Sequence, residues 1–184
     1  MKFISFNHDN SEKFGIIENN LITDLTGKID GALSLKELIK IKKIKEAKEY
    51  AKSNPGSIKP DEIKYSPLIP NPGKIICVGL NYSEHVKETN RTVEENPVIF
   101  HRFPESQTAH MQAIQRPTVS ESLDFEGEMA VIMGEGGKHI KPEDALKHIV
   151  GFSCYNESTI REWQRHTRQF GMGKNFEKTG SFGP

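Results

Sequence analysis

Apolar residues cluster in short runs at positions 3–6, 14–17 and 21–25, separated by polar stretches, and this pattern predicts three strands. Asn19 and Asn20 between the second and third run fit a tight hairpin turn, because Asn tolerates positive φ. From Ser34 the period lengthens to that of a helix. Leu35, Leu38, Ile39, Ile44 and Ala47 form an apolar stripe, Ser34 with Glu37 fits a capping box, and Asn54-Pro55-Gly56 ends the segment. The lysines between the stripe positions read as a solvated face. Residues 55–73, rich in Pro and Lys, read as a linker. The expected organisation is a small α+β domain over residues 1–68 followed by a larger domain over residues 69–184.

The second domain is expected to be mainly β. Runs at 74–78, 97–100, 130–133 and 149–155 predict strands, residues 105–117 read as an irregular loop, and Pro142 at a first turn opens a short helix ending at His148. The informative run is LDFEGEMAVIMG, which begins at Leu123. Alternate strand residues share a face roughly 7 Å apart, so Asp124, Glu126 and Glu128 line one side. Three carboxylates on one face repel each other unless a cation joins them, and oxygen donors suit a hard divalent ion. The same pattern also fits the solvated edge of a half-exposed strand.

Other candidate groups lie in separate segments. His85 and Glu88 are three apart on a short helix capped by Ser83, the pairing that orients an imidazole as a general base; an exposed His–Glu pair on a surface helix would look the same. Glu157 sits at a strand-to-helix junction. Arg161 and Gln164 share a face of the helix that Ser158 is expected to begin, where they can grip a carboxylate and a carbonyl. Lys174 lies in a glycine-rich segment whose backbone allows close approach, and a lysine held there can steady an oxyanion. His101 and His110 read as surface or turn residues.

Composition narrows the function classes. In 184 residues Lys+Arg and Asp+Glu both number 25, so there is no net charge to draw nucleic acid or an anionic membrane. Cys77 and Cys154 read as small buried residues, not a disulfide, which suits a reducing compartment. With no run of transmembrane length and no signal-peptide pattern, a cytoplasmic protein is expected.

Taken together, KIICVGLNYSEHVKE, NPVIF, LDFEGEMAVIMG, EDALKHIVGFSCYNES, REWQRHTRQF and GKNFEKTGSFGP resemble the fumarylacetoacetate hydrolase family over residues 74–184. The resemblance implies a mixed, mainly β catalytic domain of rolled sheet, a homodimer, and a preceding small domain. It implies a Mg²⁺ or Mn²⁺ site at Glu126, Glu128 and Glu157, the last standing where the family has aspartate. It implies catalytic roles for His85, Glu88 and Lys174, and substrate binding by Arg161 and Gln164. The implied substrate is a small 1,3-dicarbonyl or 2-oxo acid such as an acylpyruvate. The implied chemistry is C–C cleavage through a metal-held enolate, with isomerisation or decarboxylation as family alternatives. Family members continue well past Pro184; if the 184 residues are the whole product, strands at 74–78, 130–133 and 149–155 are expected to lack some of their partners and to leave apolar patches. A catalytically silent fragment acting by association is the competing expectation.

Overall fold

A computed structural model describes residues 1–82 and 96–184. His85, Glu88 and the cap expected at Ser83 lie outside the described residues.

The N-terminal part follows the local pattern closely. Strands β1 (Lys2–His8), β2 (Ser11–Glu18) and β3 (Leu21–Asp24) pair antiparallel in sequence order. Both connections are two-residue turns with positive φ at each residue, 52° and 57° at Asp9 and Asn10, 50° and 61° at Asn19 and Asn20. That geometry matches the right-handed twist of the strands it joins.

The predicted single helix is two. Helix α1 (Leu35–Lys40) is capped by Ser34, whose hydroxyl accepts from the Glu37 N–H at 3.2 Å; the Glu37 carboxylate reaches back to the N–H of Leu33. Helix α2 (Ile44–Ser53) starts after a break in which Lys42 has φ +60°. An unbroken helix would carry Lys42 and Lys43 onto the stripe below Leu38 and Ile39. The break turns them outward and returns Ile44 and Ala47 to the core.

Residues 55–73 are not a linker. Ile58 bridges Ile22, and β4 (Lys64–Ser66) adds to the free edge of β1, giving the sheet order β3-β2-β1-β4. A three-residue edge strand between Pro60 and Pro67 has too little pattern to be read from sequence, and proline is tolerated at its ends.

In the second part, β5 (Ile75–Gly79) pairs antiparallel with β6 (Val98–Arg102). The stretch expected to be an irregular loop contains β7 (Gln107–Ala109), fully buried, which pairs in parallel with the C-terminal β12 (Gly180–Phe182). The acidic run is divided. A short β8 (Leu123–Asp124) ends before Phe125, and β9 (Gly127–Met133) begins beyond Glu126. Strand β9 pairs with β10 (Ile149–Glu157), and the sheet runs β7-β12-β10-β9. The helix expected from Ser158 begins later. A two-residue β11 (Thr159–Ile160) pairs with β8, and α3 (Arg161–Gln164) follows it. Helix α4 (Gly171–Lys174) then leads into the tail.

One hydrophobic cluster joins both parts: Phe14, Ile16 and Leu38 pack with Leu68, Tyr155 and Phe182. The Ser5 hydroxyl donates to the Leu68 carbonyl at 2.8 Å. Met129, Val131 and Met133 on β9 are 44–63% exposed, as is Phe152 on β10 at 59%. Cys154, expected to be buried, is exposed among them, while Cys77 is partly covered; both thiols are free. Among the described residues no helix is long and apolar enough to cross a membrane.

Candidate active site

The interruption of the acidic strand brings its carboxylates to the end of β10. The Glu157 N–H donates to the Glu126 carbonyl at 2.8 Å, and the Asn156 side chain accepts from the Glu126 N–H at 3.1 Å. These bonds fix Glu126 beside Glu157 across two strands. Lys174 enters from α4 because Gly173 lets that turn lie against α3. A Cβ on Gly173 would come within 2.6 Å of the Gln164 nitrogen and 2.7 Å of the Ile160 carbonyl.

The side chains form a charged cluster whose centre, Lys174, Arg102 and Glu157, has little access to water. Lys174 is 1% exposed, and its Nζ donates to Glu126 Oε2 at 2.9 Å and to Glu157 Oε2 at 2.5 Å. Arg102 donates through Nη1 to the other oxygen of Glu157, Oε1, at 2.8 Å. Arg161 spans Asp124 Oδ2 at 2.7 Å and Glu126 Oε1 at 2.8 Å, and also bonds Gln164 at 3.1 Å. The Thr159 hydroxyl donates to Glu126 Oε1 at 2.7 Å. The Tyr82 phenol lies beside Glu128.

The three glutamates differ electrostatically. Burial pushes Glu126 up, but Lys174, Thr159 and Arg161 outweigh it and hold the carboxyl below its ordinary range. Burial raises Glu157 despite the opposing pull of Lys174 and Arg102. Burial also raises Glu128; the neighbouring Tyr82 phenol opposes this, and the charges of Glu126 and Glu157 add to it. Cys77, behind the cluster, is pushed up to about 12, chiefly by burial, so it is not a thiolate nucleophile.

The expected site residues are therefore largely assembled. Glu126, Glu157 and Lys174 are in direct contact, and Arg161 with Gln164 stands at their edge. Glu128 is close enough to feel both other carboxylates, and His85 and Glu88 lie outside the described residues. Among the described residues no three His, Cys, Asp or Glu side chains already converge as a ligand set. The donor set nonetheless fits a hard cation in kind. All its donors are oxygens, an ammonium stands between two of the carboxylates, and Glu128 has no cationic partner among the described residues. Glu126, Glu128 and Glu157 would hold Mg²⁺ or Mn²⁺ there.

Sequence reasoning missed Arg102, Thr159 and Tyr82. For Arg102 a signal existed: Val98, Phe100 and Arg102 share the inward face of β6, and a charge in an apolar inward register requires a buried partner. A groove of about 700 Å³ is lined by Ile99, Phe100, Phe103, Trp163 and Phe170 among others; none of the carboxylates lines it.

The family model for the fumarylacetoacetate hydrolase C-terminal region matches residues 74–184, more than half of the chain. The chain belongs to the fumarylacetoacetate hydrolase family. It is 38% identical over 124 residues to a mitochondrial oxaloacetate tautomerase of Rattus norvegicus, a match covering 67% of this chain and 40% of the relative. It is 36% identical over 143 residues to the corresponding protein of Xenopus laevis, covering 77% and 45%. Among solved structures, a fumarylacetoacetate hydrolase from psychrophilic Exiguobacterium antarcticum superposes with a TM-score of 0.83 at 30% identity, covering 100% of this chain and 65% of that one. A maleylpyruvate hydrolase from Sphingobium, solved with manganese and pyruvate, shares the fold at 19% identity and a TM-score of 0.78. The chain thus spans less than two thirds of the length of these relatives. The mainly β fold is that of the family.

Proposed function

We propose that the chain carries the carboxylate–lysine centre of an enzyme acting on small 2-oxo or 1,3-dicarbonyl acids, by stabilising the enolate form of the substrate. The observation that carries this reading is the Lys174 ammonium, buried between Glu126 and Glu157 with Arg161 and Gln164 alongside. A buried ammonium is a strong donor toward an oxygen that gains charge, because little water competes for it. Arg161 and Gln164 offer a planar fork and an amide to a substrate carboxylate and its neighbouring carbonyl. Arg161 already spans Asp124 and Glu126, so its guanidinium is held in place before substrate arrives. A divalent ion on the three glutamates would supply Lewis acidity toward the same substrate oxygens. His85 with Glu88 is the base that the family resemblance implies.

Keto–enol interconversion of an oxaloacetate-like acid is the reaction favoured by the 38% identical relative. C–C hydrolysis of a fumarylacetoacetate-like 1,3-dicarbonyl acid is the second reading, favoured by the 30% identity with the Exiguobacterium hydrolase. The purified chain with Mn²⁺ is tested on both. Decay of the oxaloacetate enol is followed by ultraviolet absorbance, and release of pyruvate from acetylpyruvate by NMR. The expected result is faster enol decay, reduced on the order of a hundredfold or more in Lys174→Met. Glu126→Gln is expected to lose Mn²⁺ binding. Absence of both activities in the unaltered chain, or full activity in Lys174→Met, would overturn the assignment.

A further inference from the structure

Glu157 stands where the family resemblance implies aspartate, so its carboxylate is carried on a longer, more flexible arm. A ligand carboxylate with an extra rotatable bond loses alignment unless something else holds it. The structure contains such a holder. Arg102 ends β6 with its side chain fully buried, and its three nitrogens are all engaged. Nε donates to Ser106 Oγ at 3.2 Å, Nη2 to Thr179 Oγ1 at 2.7 Å, and Nη1 to Glu157 Oε1 at 2.8 Å and the Ser158 carbonyl at 3.2 Å. The ring of Tyr155 lies 5.9 Å from the guanidinium carbon. Gly180 keeps this space open: a Cβ there would come within 2.9 Å of Arg102 Nη2 and 2.3 Å of the Tyr155 hydroxyl.

The arrangement divides the two oxygens of Glu157. Oε1 faces inward and is taken by Arg102. Oε2 faces Glu126 and is bonded to Lys174. A guanidinium anchored on Ser106, Thr179 and the Ser158 carbonyl cannot follow a wandering carboxylate, so the carboxylate must align to it.

We propose that Arg102 is a positioning residue, which locks Glu157 through Oε1 so that Oε2 is presented to Glu126 and Lys174, and thereby sets the affinity of the site for a divalent cation. Arg102 is not among the residues that would hold the cation. This role rests on the proposed function, since it presumes that Glu157 serves a cation. Partners that orient a ligand carboxylate commonly change metal affinity by about 10–100-fold when altered.

The test measures Mn²⁺ affinity of the 184-residue chain by electron paramagnetic resonance. It compares the unaltered protein with Arg102→Lys, Glu157→Asp and the double variant. Lysine keeps the charge but cannot hold Ser106, Thr179 and Glu157 together. Arg102→Lys is expected to weaken Mn²⁺ binding about tenfold. The shorter Glu157→Asp no longer reaches Arg102, so adding Arg102→Lys to it should change affinity by less than about twofold if the arginine acts through Glu157. Ser106→Ala removes one anchor of the guanidinium and leaves Arg102 in place. It is expected to weaken binding by a few-fold and serves as the test should Arg102→Lys fail to fold. Equal affinity in Arg102→Lys or in Ser106→Ala and the unaltered chain overturns the role of Arg102 alone, as does a full tenfold loss persisting in the Glu157→Asp background. No Mn²⁺ binding by the unaltered chain overturns the proposed function and this role with it.

Discussion

Lys174 and Glu126 are 48 residues apart in the chain, yet the ammonium lies 2.9 Å from Glu126 Oε2 while also bonding Glu157. That single cation joins the break between β8 and β9 to the end of β10 and to α4. Its removal is expected to be felt by the whole second part of the fold.

Lys174→Met keeps the length of the buried stem and removes its charge. Glu126 and Glu157 would then face each other, Glu126 retaining Arg161 and the Thr159 hydroxyl and Glu157 retaining Arg102. Breaking a buried ion pair from one side costs about 3–5 kcal/mol. The remaining arginines offset part of this, so a loss of roughly 2–4 kcal/mol is expected in metal-free buffer, read as a lower urea midpoint. Millimolar Mn²⁺ should recover part of the loss, because a cation that binds only the folded state stabilises it. A variant that unfolds at the parent midpoint would show that the cluster is not held together by the lysine.

Asp24 provides a pH-dependent term far from the site. Burial raises its pKa, but the Thr26 N–H at 2.8 Å and Lys13 at 3.0 Å outweigh that and leave it lowered in the folded state. A carboxylate with a depressed folded pKa binds fewer protons folded than unfolded. Its contribution is therefore fully present above the unfolded value and is lost as pH falls through the folded one. Asp24→Asn is expected to lower stability by about 1 kcal/mol at pH 7. The difference from the parent should shrink once the pH drops below the ordinary value of 3.8. Urea midpoints of the two proteins across acid pH give the answer; a gap that widens toward low pH would contradict the sign.

The break between α1 and α2 makes a third prediction. Lys42 holds φ +60°, a conformation that costs an L-residue roughly 1–2 kcal/mol and costs glycine little. Its ion pair with Glu135 is exposed at both ends and contributes little. Lys42→Gly should stabilise the protein by about 0.5–1 kcal/mol, since the greater freedom of glycine in the unfolded chain offsets part of the gain. Lys42→Val should destabilise it. The order of the two urea midpoints checks the geometry of the break directly.

The features legible in the sequence are those whose causes lie within a few residues. The Asn19-Asn20 turn, the Ser34 cap, the strand ending at Glu157 and the close approach at Gly173 each depend on local backbone preference or side-chain size. The candidate site was legible in part for a related reason: Glu128 and Glu157 lie on strands and Arg161 and Gln164 on a helix whose type could be read, whereas Glu126 lies in a break between strands and Lys174 on a short helix that were not. The family resemblance then supplied their common purpose.

Other features were decided only by the tertiary structure. β7 carries no alternating pattern because it is covered on both faces, and it becomes a strand by pairing with β12, more than seventy residues away. Helix α1 stops short because Lys42 and Lys43 would otherwise enter a core that their own segment does not reveal. Arg102 finds Glu157 across 55 residues of chain. A buried charge is specified by the partners that satisfy it, and those partners become neighbours only when distant strands pair. Local sequence therefore determined which residues could form the centre, and long-range packing decided that Arg102 would hold one oxygen of Glu157 while Lys174 took the other.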